Sequence, residues 1–134
     1  MAPDRLGRTE VALRKVLFDS SFLMSISENP TDWRDGITML LGSFEPVLLD
    51  CVRRELSGLS AGRGKKGKLA GLALQLAADF SPGQCGDAEV DDELASAALK
   101  TRAAVATVDR TLIATLRAAH VDVLGLRSGR VTLI

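Results

Sequence analysis

Tyrosine is absent from the 134 residues, and histidine occurs once, as His120. A Ser-His-Asp or Cys-His device would have to be built on that single imidazole. It closes the run "TLRAAH", where the negative end of a helix dipole suits an imidazole, so His120 reads as a helix C-terminal residue. Cysteine is scarce too: Cys51 and Cys85 lie far apart and outside any CxxC or Cys/His ligand spacing. That usage argues against a disulfide framework and against zinc, and predicts free thiols in a reducing cytosol. An excess of either charge is also missing, because 17 basic and 17 acidic side chains cancel. The chain thus lacks the long-range field of a protein that coats nucleic acid, and a polyanion must meet a local patch. No apolar run approaches the roughly 20 residues needed to span a bilayer, and "MAPDRLGRTE" has no secretory hydrophobic stretch. A cytoplasmic protein with no membrane partner is expected.

What is present is an alternation. With 46% hydrophobic and 25% charged residues, the length fits one soluble domain over 1–134. "KVLFD", "EPVLLD", "AAVATVD", "VDVLGLR" and "VTLI" read as strands, the last two joined by the tight turn "SGR". "TDWRDGITMLLG", "CVRRELSGL", "LAGLALQLAADF", "AEVDDELASAALKT" and "RTLIATLRAAH" read as helices, and "SPGQCGD" as a break. Short continuous apolar strands separated by amphipathic helices predict an α/β fold of three α/β/α layers around a mostly parallel sheet.

Two apolar runs end on a carboxylate, at Asp19 and at Asp109. Ligands of open α/β sheets sit beyond the C-terminal strand edge, where both residues fall. An aspartate there is also a good helix N-cap, and "DRTLIATLR" has that form. Helical spacing adds two more acids. The template i, i+3, i+4, i+7 from Val52 places Glu55 with Leu56 and Leu59, and from Asp91 it selects Leu94, Ala95 and Ala98. Glu55 and Asp91 are therefore expected to point inward, with Asp92 at the edge and Glu93 solvated beside Ser96 and Lys100. Pairing of Glu55 with Arg53 or Arg54 is the structural alternative. Two like charges about 4 Å apart repel by about 4 kcal/mol at an effective dielectric of 20. A divalent cation reverses that sign, and oxygen-only ligands suit Mg²⁺ or Mn²⁺.

"VLFDSSFLM", "EPVLLDCVRREL", "DAEVDDELASAAL", "AVATVDRTLIATLR" and "VDVLGLRSGRVTLI" together resemble, in order and over nearly the whole chain, the PIN-domain nucleases. The Thr-x-Asp-Arg strand end and the "Leu-Arg-x-Gly-Arg" tail are most similar to the archaeal group related to eukaryotic small-subunit rRNA-processing endonucleases. The resemblance implies a PIN-like domain with about five strands and metal-dependent cleavage of single-stranded RNA by clustered acids. Matched block by block, the family's acids fall on Asp19, Glu55, Asp91 (with Asp92 adjacent) and Asp109. These would act as catalytic residues and as ligands of Mg²⁺ or Mn²⁺. Thr107 matches the family's strand-end hydroxyl, expected to hold Asp109 or a water. Where many members have Asp-Thr-Asn, this chain has Asp19, Ser20, Ser21; Ser21 is a shorter support than the usual amide.

The stretch 56–78 carries Arg63, Lys65, Lys66 and Lys68 and no acid, whereas 79–93 carries six acids and no base. "GRGKKGK" is the expected contact for RNA phosphates, its glycines allowing close approach; a solvated interhelical loop is the plainer reading. Trp33 is expected in packing rather than on a base. The function expected is a metal-dependent endoribonuclease acting on ribosomal RNA precursor, with a homodimer or a ribosome-assembly protein as further partner. The alternatives are a VapC-type toxin held silent by an antitoxin, and a catalytically weak RNA-binding or assembly module.

Overall fold

In the computed structural model, residues 13–134 are described, so the first twelve positions of the domain expected over 1–134 lie outside the described residues. The described residues open with β1 (Arg14–Phe18), followed by α1 (Ser20–Glu28), α2 (Trp33–Leu41), β2 (Phe44–Leu49), α3 (Asp50–Ser60) and α4 (Gly64–Leu76). It continues with β3 (Ser81–Gly83), α5 (Val90–Thr101), β4 (Ala104–Ala106), α6 (Arg110–Ala118), β5 (Val123–Arg127) and β6 (Arg130–Leu133). One six-stranded sheet results, in the order β3-β2-β1-β4-β5-β6. Every neighbouring pair is parallel except β5 and β6, which form an antiparallel hairpin.

Side chains of a strand alternate between the faces of its sheet, which sorts the helices. On one face Phe18 meets Phe22 of α1 at 5.6 Å, Trp33 of α2 at 5.3 Å and Phe80 at 5.0 Å between ring centroids. Trp33 is thus part of an aromatic cluster, as expected of a packing residue. On the other face Leu17 and Lys15 share a cavity of about 220 Å³ with Ser96, Ala97 and Lys100 of α5. α1, α3 and α4 pack mutually, and α5 contacts β1, β4 and α6. The core between these layers holds Val16, Phe18, Leu48, Leu94, Val105, Leu112 and Leu124, all fully buried.

The strand order grows outward from the β1–β4 pair, β2 and β3 on one side and β5 and β6 on the other. That reversal opens a crevice at the C-terminal ends of β1 and β4, the place where α/β sheets bind ligands.

Several segments differ from the sequence expectation. α1 was not expected, because Phe22, Leu23 and Ile26 bury a face within only nine residues, too short a run to stand out beside the strand before it. β3 replaces the expected break, since Ser81–Gly83 pairs with Val47–Leu49 despite Pro82; as a sheet-edge strand it tolerates the missing donor. Lys65, Lys66 and Lys68 of the basic stretch lie in the first turns of α4 rather than in a loop, with Arg63 at its N-cap. Gly64 takes a φ of 88° at its start, and a Cβ on Gly67 would collide with the Gly62 carbonyl. At least one of the glycines read as room for phosphate thus serves helix packing. Finally, Cys51 and Cys85 are joined in a disulfide, which corrects the expectation of free thiols. The parallel pairing of β2 with β3 brings the start of α3 beside the loop after β3, a proximity that a separation of 34 residues hides.

Candidate active site

β1 and β4 are in register with Phe18 beside Ala106, so the residues just past each strand are neighbours. The Asp19 amide continues the ladder by donating to the Ala106 carbonyl at 2.9 Å. Its side chain, 5% exposed, turns into the crevice beside Thr107, which is fully buried. The carboxylate's Oδ2 accepts from Ser21 Oγ at 2.6 Å and from Thr107 Oγ1 at 2.8 Å. Each hydroxyl also accepts from the backbone, Ser21 from the Val108 N–H at 3.1 Å and Thr107 from the Asp109 N–H at 3.1 Å. A hydroxyl has one proton. With both given to Asp19, the 3.2 Å approach of the two hydroxyl oxygens is a close contact rather than a further bond.

This arrangement decides the capping alternative separately for each aspartate. Asp19 stands at the N-cap of α1 but makes no side-chain cap bond, forgoing an interaction typically worth about 1 kcal/mol. Asp109 does cap: its Oδ1 accepts from the Leu112 N–H at 3.0 Å. Thr107 meets Asp109 as expected, though at the backbone, its hydroxyl accepting from the Asp109 N–H, while its own proton goes to Asp19. Ser21, in place of the usual amide, reaches Asp19 directly.

The two helical acids are exposed rather than inward-facing. Val52 and Leu56 of α3 are buried while Glu55 is not, and Leu94 and Ala98 of α5 are buried while Asp91 is not. The template found the right side of each helix but not its edge. Asp91 lies in the first turn of α5, and Glu55 leans toward α1, where its Oε1 accepts from Ser20 Oγ at 2.7 Å. Neither Arg53 nor Arg54 pairs with Glu55; among the described residues the ion pairs are Arg14–Asp122 and Lys65–Glu28. Glu93, expected to be solvated, folds back to accept from the Gly86 N–H at 2.9 Å and the Ala88 N–H at 3.0 Å. Those two donors hold its carboxyl below the ordinary range, and the pair of bonds ties the loop before α5 to the helix.

Asp91 registers the convergence of the acids. Its carboxyl is raised above the ordinary 3.8, first by partial loss of hydration and then by the charges of Asp19, Asp109, Glu55 and Asp92. The side chain is open to solvent, yet the neighbouring protein removes part of its water. Carboxylates from the β1 end, the β4 end, α3 and the neighbouring position of α5 thus all lie close enough to act on Asp91. Among the described residues, however, no three acidic, histidine or cysteine side chains stand close enough to form a ready-made ion cage. The donors are all oxygens, the type that a hard divalent cation takes. Glu55, Asp91 and Asp109 are exposed, and Glu55 and Asp109 are each tethered by a single carboxylate oxygen.

A consequence for stability follows. A carboxyl raised in the folded state binds its proton more tightly there than in the unfolded chain, so folding loses stability as pH rises from 3.8 through the raised value. Asp91→Asn removes that loss. The metal-free variant is expected to melt higher than the parent at pH 7 and alike below pH 3.8, checked by calorimetry in chelator. Equal melting at both pH values would mean that the acids do not press on Asp91.

Arg63, Lys65, Lys66 and Lys68 are all exposed at the start of α4, where the positive helix end adds to their charge. Lys65 is engaged by Glu28 of α1. Ser20 is the site-adjacent residue that sequence reading left unassigned. Its position next to Asp19 was the available signal; its partner 35 residues away was not visible.

A family model described as a PIN-like domain matches residues 16–129. No curated protein matches the chain. Among solved structures, the PIN domain endonuclease Utp24 is similar at 23% identity and a TM-score of 0.75, over 89% of this chain and 90% of its own. A domain of a functionally unknown protein from Methanocaldococcus jannaschii is similar at 16% identity and a TM-score of 0.60, over 86% of this chain and 92% of its own. A variant of the T5 5′-exonuclease is similar at 13% identity and a TM-score of 0.53, over 90% of this chain and 53% of its own.

Proposed function

The chain belongs to the PIN-like domain family, and from that premise we propose that it is a nuclease, a divalent-metal-dependent endoribonuclease that cuts single-stranded RNA. The observation that carries this reading is the convergence of acids from separate elements on one sheet edge: Asp19 held by Ser21 and Thr107, Glu55 tied to Ser20, Asp109 at the start of α6, and Asp91, whose carboxyl feels the charges of Asp19, Asp109, Glu55 and Asp92. Such a cluster has little purpose without a cation to neutralise it, and a phosphodiester is the substrate that needs a cation beside it.

Asp19, Asp91 and Asp109 would hold Mg²⁺ or Mn²⁺, with Glu55 completing or supporting the set. When bound, the ion supplies activation of water and neutralisation of charge developing on phosphate oxygens. The protein's own part is positional. Ser21 and Thr107 fix the Asp19 carboxylate by one oxygen and leave the other toward the crevice. Asp109 is held by its cap bond at Oδ1, leaving Oδ2 for a second partner. Arg63, Lys66 and Lys68 at the exposed start of α4 would steer the RNA backbone toward the acids. The Thr-x-Asp-Arg strand end and the "Leu-Arg-x-Gly-Arg" tail extend the proposal to ribosomal RNA precursor as substrate.

The test is incubation of unstructured RNA with the purified protein in Mn²⁺, in Mg²⁺ and in chelator. Internal cuts that need the metal are expected, with no cleavage in chelator. Metal-independent cutting, or no cutting with either ion, overturns the proposal.

A further inference from the structure

Ser20 and Asp19 both stand where a helix start invites a capping side chain, and neither caps α1. Asp19 is held by Ser21 and Thr107; Ser20 turns the other way, to α3. Its hydroxyl gives its proton to Glu55 Oε1 at 2.7 Å, across 35 residues of sequence. Glu55 is otherwise exposed and has no ion pair among the described residues, so a long side chain with several rotatable bonds would sample much of the open groove. One bond from a residue fixed at the end of β1 removes most of that freedom and leaves Oε2 uncommitted.

We infer that Ser20 is a positioning residue that sets Glu55 against Asp19 for cation binding. Because Ser20 adjoins Asp19 in the chain, the contact locks the α3 acid to the strand that carries the buried acid. The hydroxyl is the operative feature, and a threonine can supply the same proton. The inference deepens the proposed function and rests on it.

The experiment measures Mn²⁺ binding calorimetrically without RNA, together with kcat, KM for RNA and thermal melting, in the parent, Ser20→Ala and Ser20→Thr. Loss of a residue that orients a metal ligand commonly weakens binding about 10- to 100-fold. Ser20→Ala is expected to fall in that range, with lower kcat recovered by raising Mn²⁺, unchanged KM and unchanged melting. Ser20→Thr is expected to restore affinity close to the parent. Parent-like Mn²⁺ affinity in Ser20→Ala, or equal weakening in both variants, overturns the inference while leaving the nuclease reading standing. A parent that binds no Mn²⁺ overturns both.

Discussion

Asp19→Asn is expected to reduce metal-dependent RNA cleavage by more than about a hundredfold while the protein remains folded. Residues that merely orient a ligand cost about 10- to 100-fold on removal, and a ligand itself should exceed that range. The substitution is suited to the question because an amide oxygen can still accept the protons of Ser21 and Thr107, which the buried site requires. Only charge-assisted strength is lost, on the order of 1 kcal/mol. Asp109→Asn makes a parallel case: asparagine caps a helix as well as aspartate does, so the Leu112 N–H keeps its acceptor and only the charge goes. Cleavage rates under single-turnover conditions, with circular dichroism as a control for folding, decide the matter. Parental activity in either variant would remove the acids from the mechanism.

Reduction of the Cys51–Cys85 disulfide is expected to have the largest effect on stability. The bond closes a loop of 34 residues, for which the restriction of the unfolded chain corresponds to about 4 kcal/mol. For a chain of this size that is a fall in melting temperature on the order of 10 °C. The effect is global, since the loop contains α3, α4 and β3. It also reaches the crevice, because Cys51 precedes Glu55 by one helical turn and Cys85 opens the segment leading to Asp91. Melting curves with and without a dithiol reductant, and of a Cys51→Ser/Cys85→Ser variant, provide the measurement. Identical curves would show that the cross-link contributes nothing to the fold.

The layers and the parallel sheet were legible because alternation of short apolar strands with amphipathic helices admits few other architectures. Asp19 and Asp109 were legible as strand-end residues, and Glu55 and Asp91 as acids breaking an apolar stripe. Their environment was not. Spacing along a helix tells which side a residue occupies, but whether that side ends in core or in open groove depends on where the helix stops relative to the sheet edge, which is why Glu55 and Asp91 are exposed. Pairwise contacts between distant segments were likewise hidden. The Ser20–Glu55 and Thr107–Asp19 bonds and the disulfide each require the strand order before they can be seen. The contact of Thr107 with its near neighbour Asp109 was legible, whereas the donation of its proton to Asp19 depends on the register of β1 and β4.

The β1–β4 pairing at the centre of the sheet has a bearing on biosynthesis. Asp19 is made before α1 to α5 and receives its Thr107 partner only after β4 has emerged. A nascent or prematurely terminated chain therefore exposes the first acid without its supporting hydroxyl and without Asp109. The crevice is therefore without Thr107 and Asp109 until β4 and the start of α6 have been made, and whatever chemistry the acids perform together waits for that step.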